Sequence, residues 1–159
     1  MGDATPTIDN DASTLSMVQS RWSAQVTRSF IYSSLLTPVT ITSARPGHVL
    51  ACLTLTKEHL NSKGGLHGSV SATIIDAFGG LAITSTDGRD RTGASVDINV
   101  SYLGSAGEGD VVEIEGRAEK VGGSLGFTEV RLFKVVGEER TLIVSGRHTK
   151  FVRGTAPAK

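Results

Sequence analysis

The chain has 159 residues, and sixteen Lys plus Arg balance sixteen Asp plus Glu, so its formal net charge is zero. That length suits one domain with a proper core, and the charge balance removes a broad electrostatic case for nucleic acid or an anionic membrane. The single cysteine, Cys52, has no internal disulfide partner and suits a reduced, intracellular protein, and no run approaches the ~18 apolar residues of a membrane span.

Residues 1–12 are rich in Asp, Asn, Thr and Pro and read as a loose tail. They lack the apolar core of a signal peptide and the arginines of a transit peptide, so the expected location is cytoplasmic or mitochondrial. Ser13 or Thr14 is a candidate helix cap. Beyond it Leu15, Val18, Trp22, Val26 and Phe30 recur at three- and four-residue spacing, which predicts one amphipathic helix to about Tyr32. From Thr37 the period becomes two: Val39 and Ile41 read as a strand ending at the turn Ala44-Arg45-Pro46-Gly47. Val49, Ala51, Leu53 and Leu55 read as its hairpin partner.

The stretch from Asn61 to Thr84 opens as a glycine-rich turn and becomes a segment apolar on nearly every side, with Val70, Ile74, Ile75, Phe78, Leu81 and Ile83. Such a helix is normally buried, and Thr86-Asp87-Gly88 marks its end. Four strands follow. Ser95–Tyr102 alternates without a break, apolar on even numbers, and Asp110–Val121 puts Val112, Ile114, Gly116 and Ala118 on one side. Phe127–Val136 and Thr141–Val152 complete the set, and 153–159 form a second tail. The expected domain is therefore 13–152, of class α+β: an antiparallel sheet of five or six strands around one long central helix, with an extra N-terminal helix. Such a pair of layers leaves the outer sheet face and one edge uncovered, and pairing with a second copy is the usual remedy.

Chemistry is concentrated on the central helix. Asp76 is its one acid in an apolar setting, and a buried carboxylate is costly without partners or a task. Its helical neighbours Ala72, Thr73, Gly79 and Gly80 are small, and the two glycines cost ~1 kcal/mol each relative to alanine. Close approach of a substrate or a second subunit is the expected compensation, and a desolvated carboxylate is a better base at neutral pH. An acid that merely pairs with a lysine or caps a neighbouring backbone is the competing reading. At the helix start, His67 and Gly68 sit where free N–H groups favour negative charge and could form an oxyanion hole. His67 could equally be a loop residue bonded to local backbone. Asn61 could orient a carbonyl or shape the turn. No G-x-S-x-G elbow or G-K-[ST] phosphate loop is present, and the four histidines and Cys52 show no metal spacing.

The run N-x5-H-G, the aspartate nine residues after the histidine, then G-A-S-V-D-I-N-V-S-Y and G-R-H-T-K together resemble the hotdog-fold acyl-coenzyme A thioesterases. Within them the likeness is to the thioesterase superfamily member 2 group, also called acyl-coenzyme A thioesterase 13, and it covers roughly residues 30–152. The resemblance implies a hotdog fold and a homodimer or homotetramer, a dimer of dimers with active sites at the dimer interface. It implies that Asp76 is the catalytic acid, activating water or attacking the thioester carbon, and that Gly68 is the oxyanion donor. Asn61 and His67 would then orient thioester and water, and Ser95, contributed with Asp76 by the opposite subunit, would support the water. Coenzyme A contacts are implied at Tyr102, Leu103, Gly104 and Ser105, and at Lys120, Gly122, Gly123, Ser124 and Leu125. Arg147 and Lys150 join Lys120 as phosphate partners. Two departures stand out: Ser69 replaces the second glycine of the family's H-G-G, where it would narrow the pocket or add a cap bond, and the turn after Tyr102 lacks the usual proline.

The expected activity is hydrolysis of a fatty or aryl acyl-coenzyme A to the acid and free coenzyme A, with no metal or organic cofactor, coenzyme A being part of the substrate. Binding of acyl-coenzyme A without hydrolysis is the alternative. A hydratase or dehydratase would want a histidine beside the acid, whereas His67 precedes Asp76 by two and a half turns. Neither nucleic acid nor membrane insertion is expected.

Overall fold

Period-two patterning on both sides of the central helix becomes a single six-stranded sheet. In the computed structural model residues 10–157 are described. The elements are α1 (Ala12–Arg28), α2 (Phe30–Leu35), β1 (Thr40–Arg45), β2 (His48–Thr54), a 3-10 turn (Lys57–His59), α3 (Gly68–Asp87), β3 (Ala94–Tyr102), β4 (Val111–Val121), β5 (Leu125–Val136) and β6 (Glu139–Phe151). The strand order is β1-β2-β4-β5-β6-β3, with every pair antiparallel. The sheet wraps α3, whose Val70, Ile74, Ile75, Phe78, Leu81 and Ile83 are all buried. Burial of each such side chain is worth ~1.5–3 kcal/mol, so α3 is the centre of the core. Close packing needs glycine on the sheet: a Cβ at Gly116 would stand 3.0 Å from the Phe78 carbonyl oxygen, and one at Gly146 would overlap Ile75. The helix stops at Gly88, which adopts the left-handed conformation (φ 74°) that favours glycine.

The N-terminal region differs from the single helix expected. The cap is Asp11, whose Oδ1 accepts from the Ser13 and Thr14 N–H groups, rather than Ser13 or Thr14. α1 stops at Arg28 because Ser29 is extended (φ −110°, ψ 114°), and the Ser29 hydroxyl then accepts from the Tyr32 N–H to start α2. The apolar stripe ends at Val26, since Phe30 is 85 % exposed.

β3 departs from its pattern too. Ser95 stands opposite Lys150 but Asp97 opposite Thr149, so Val96 is an extra, bulged residue. Directly opposed residues share a face of the sheet. The bulge therefore puts Ser95 on the helix-facing side with Ile98, Val100 and Tyr102, where unbroken alternation would have put it with Asp97 and Asn99.

Of the tails expected at 1–12 and 153–159, residues 1–9 and 158–159 lie outside the described residues. The described parts make contacts: the Asp11 N–H donates to the Ala44 carbonyl, and Thr155 accepts from Arg89. Among the described residues no helix is long and apolar enough to cross a membrane.

Candidate active site

Asp76 lies midway along α3 with its side chain 34 % exposed, and four polar side chains converge on it. The Tyr32 hydroxyl donates to Oδ2 at 2.5 Å, and the Ser95 hydroxyl donates to Oδ1 at 3.2 Å. The Ser95 contact depends on the β3 bulge. Behind it, His148 from β6 places Nε2 2.9 Å from the Ser95 oxygen and 3.7 Å from Asp76 Oδ1, and Lys150 places Nζ 3.9 Å from the same Oδ1. A carboxylate can only accept, so the Ser95 proton goes to Asp76 and the His148 Nε2–H donates to Ser95. His148 is fully buried, and its Nδ1 has no hydrogen-bond partner among the described residues.

The electrostatics are asymmetric. Burial pushes the Tyr32 phenol up, and its bond to Asp76 and that acid's charge add to the shift, so it stays a donor across the ordinary pH range. Burial and the Lys150 charge push His148 below the usual histidine value, against the pull of Asp76. Burial likewise lowers the Lys150 ammonium, with Asp76 opposing. On its open side the acid meets a groove lined by Ser29, Ile31, Tyr32, Ala72 and Thr73.

The helix start carries a second cluster. His67 Nδ1 accepts from the Ser69 N–H at 3.1 Å and lies 2.7 Å from the Ser69 hydroxyl, so Ser69 contributes a capping contact and His67 carries its proton on the exposed Nε2. Among the described residues nothing accepts from the Gly68 N–H. Tyr102 covers Gly68, donating to its carbonyl at 3.1 Å, and a Cβ there would stand 3.1 Å from that hydroxyl oxygen. Asn61 shapes the turn: its Oδ1 accepts from the Lys63 and Gly65 N–H groups at 2.9 and 3.3 Å. Ser105 packs on the same turn at Gly65.

This fold recurs in known proteins. The Thioesterase superfamily profile matches residues 63–141. Acyl-coenzyme A thioesterase 13 of Homo sapiens is 36 % identical over 126 residues, covering 79 % of this chain and 87 % of that one. The chain belongs to the Thioesterase superfamily. The crystal structure of zebrafish thioesterase superfamily member 2 superposes with a TM-score of 0.77 at 32 % identity, covering 86 % of this chain and 96 % of that one. A hypothetical thioesterase protein from Streptococcus pneumoniae, crystallised with coenzyme A, matches with a TM-score of 0.68 at 26 % identity over 77 % of this chain and 94 % of that one. The expected hotdog arrangement is thus the observed one.

Against that family background several expectations need correction. Gly79 and Gly80 do not open a path to substrate. A Cβ at Gly79 would stand 2.8 Å from both His148 Nδ1 and Thr128 Oγ1, and one at Gly80 would meet Thr92, so these glycines admit the chain's own residues. The open side is that of Ala72 and Thr73 instead. Lys150 is not a surface phosphate partner: it is 6 % exposed and faces Asp76. A histidine does stand near the acid, but it is His148, buried behind Ser95, and not His67. Tyr32 and His148 escaped the sequence reading. The signal for β6 was present, because Val144, Gly146, His148 and Lys150 follow one another at period two on the buried face. Tyr32 carried no such signal, since the break at Ser29 involves neither proline nor glycine.

The remaining residues proposed for coenzyme A fall into two groups at opposite ends of β3. Tyr102, Leu103, Gly104 and Ser105 lie exposed at its C-terminal end. Lys120, Gly123, Ser124 and Leu125 are exposed and Gly122 half-buried in the β4–β5 turn, which reaches the other end because Leu125 and Ala94 both pair with Phe151. Arg147 is exposed on the outer face, opposite Asn99. Among the described residues no group of three or more His, Cys, Asp or Glu could hold a metal ion.

Proposed function

We propose that the chain hydrolyses acyl-coenzyme A thioesters, fatty or aryl, with Asp76 as general base. The observation that carries this reading is a half-open carboxylate held by Tyr32 and Ser95, on the same helix whose first N–H, that of Gly68, has no acceptor among the described residues. The name of the human relative supports the same chemistry.

Asp76 and Gly68 are eight residues apart on α3, about 12 Å along its axis. A thioester carbonyl is only ~1.2 Å long, so one chain cannot apply both groups to it. β3 is an edge strand with Val96, Ile98 and Tyr102 exposed. Antiparallel pairing of that edge with a second copy sets the Ser95 end of one β3 beside the Tyr102 end of the other. Asp76 then faces the partner's Gly68, and the two coenzyme groups described above come together across the boundary. A homodimer is the smallest competent unit, and a dimer of dimers would duplicate it.

In the reaction Asp76 takes a proton from water as the water oxygen attacks the thioester carbon. The Gly68 N–H stabilises the oxyanion, and His67 Nε2–H and the Asn61 amide orient the reactants. The intermediate collapses with cleavage of the C–S bond, and the proton held by Asp76 goes to the departing thiolate. No metal or further cofactor takes part. A panel of medium-chain, long-chain and aryl acyl-coenzyme A substrates, followed by the appearance of free thiol, tests the activity. Asp76→Asn should lower kcat by about 10²–10⁴-fold while the assembled state persists. An Asp76→Asn protein of wild-type turnover overturns the role of the acid, and wild-type protein that binds the panel without releasing thiol favours a binding protein.

A further inference from the structure

Tyr32 reaches Asp76 only because the N-terminal helix is broken. Were α1 continuous, residue 32 would lie about 15 Å along the axis from Trp22 and be turned about 80° from it. The Trp22 and Tyr32 ring centroids are in fact 6.2 Å apart. Ser29 folds α2 back, and the ring packs on Trp22, which itself stacks against Phe78 of α3 at 5.6 Å between centroids. Both the ring and its backbone are thus fixed, the latter by bonds from its N–H to the Ser29 hydroxyl and from the Leu36 N–H to its carbonyl.

We propose that Tyr32 is a positioning residue for the thioesterase reaction: its hydroxyl pins Oδ2 of Asp76 and fixes the carboxylate plane, leaving Oδ1 and its neighbour Ser95 to meet the attacking water. The groups facing Asp76 come from three elements, Tyr32 from α2, Ser95 from β3 and His148 with Lys150 from β6. Among the described residues only Tyr32 donates a hydrogen bond to Oδ2, so its loss frees that oxygen without removing the Ser95 bond to Oδ1.

This inference rests on the proposed thioesterase reading, and Tyr32→Phe, which deletes one oxygen, tests it. The expected result is a kcat lowered roughly ten- to hundredfold with KM changed less than about threefold and an unchanged far-UV spectrum. Unaltered kcat, or a loss carried by KM alone, overturns the proposal. A readout independent of turnover separates the two ideas. The chain has only two tyrosines, Tyr32 and Tyr102. Ultraviolet titration of Tyr102→Phe protein follows Tyr32 alone, and Asp76→Asn in that background should let the phenol ionise at distinctly lower pH. If the phenol responds but no thioester is hydrolysed, the proposed function fails while the contact stands. If thioester is hydrolysed and the phenol does not respond, the positioning role fails.

Discussion

Asp76 on α3 and Glu115 on β4 are treated in opposite ways. Glu115 on β4 is 2 % exposed, and its Oε1 takes hydrogen bonds from His48 at 2.8 Å and from Arg117 at 2.6 and 3.0 Å. Burial alone would raise its pKa, but the bonds from His48 and Arg117 outweigh that and hold it at about 2. Asp76 is left a third open, bonded by two neutral hydroxyls, while its nearest cationic nitrogen, Lys150 Nζ, stays 3.9 Å away. An acid locked by charged donors can do nothing but hold the sheet together. One oriented by hydroxyls, with cations kept at arm's length, retains capacity to accept a proton.

The largest expected contrast is between Asp76→Asn and Glu115→Gln. The first should abolish most turnover and move the melting temperature little, because its ionic contacts are long. The second should leave turnover intact and cost about 3 kcal/mol in denaturant unfolding, the penalty of breaking a buried ion pair. Equal losses of activity in both variants would erase the distinction. Acid titration sharpens it. Glu115 is held at about 2 against an ordinary value of 4.5, so its contribution is fully present above pH 4.5 and is lost as pH falls toward 2. The stability gap between wild type and Glu115→Gln should therefore close across that window, and a gap constant from pH 6 to 2 would contradict the assignment. A smaller effect is expected at Gly79→Ala. The new Cβ presses on His148 and Thr128, costing roughly 1–3 kcal/mol by overpacking, and displaces the His148–Ser95 pair. Turnover should fall severalfold more than the loss of folded protein explains, measured as kcat per folded chain.

What the sequence made legible follows from where physical constraint is local. The central helix, its acid and its glycine start were readable because an all-round apolar segment interrupted by one carboxylate is an uncommon pattern. The strands were readable from period two, and their ends fell within a few residues of those observed. The surroundings of Asp76 were not. Ser95 reaches the acid only through a one-residue bulge at Val96, and an alternating string does not reveal an extra residue. Tyr32 depends on a turn at Ser29 that is held by one side-chain hydrogen bond, where a continuous helix was as good a local solution. The period-two run of β6 marks the face that Lys150 takes, but nothing near it in sequence tells that Asp76 lies across from that face. The tertiary partner decides each of these cases.

The β3 edge carries a further consequence for the life of the molecule in solution. The outer edge of the nine-residue β3, with Val96, Ile98 and Tyr102 exposed, is a template for any extended chain that meets it. If the proposed homodimer forms, a newly made copy is most at risk of aggregation before it pairs, and pairing would protect the strand as well as complete the site. In the proposed homodimer the partner binds only the folded form, so mass action would tie stability to copy number, and the melting temperature should climb with protein concentration. Dilution is then a gentler off-switch than heat.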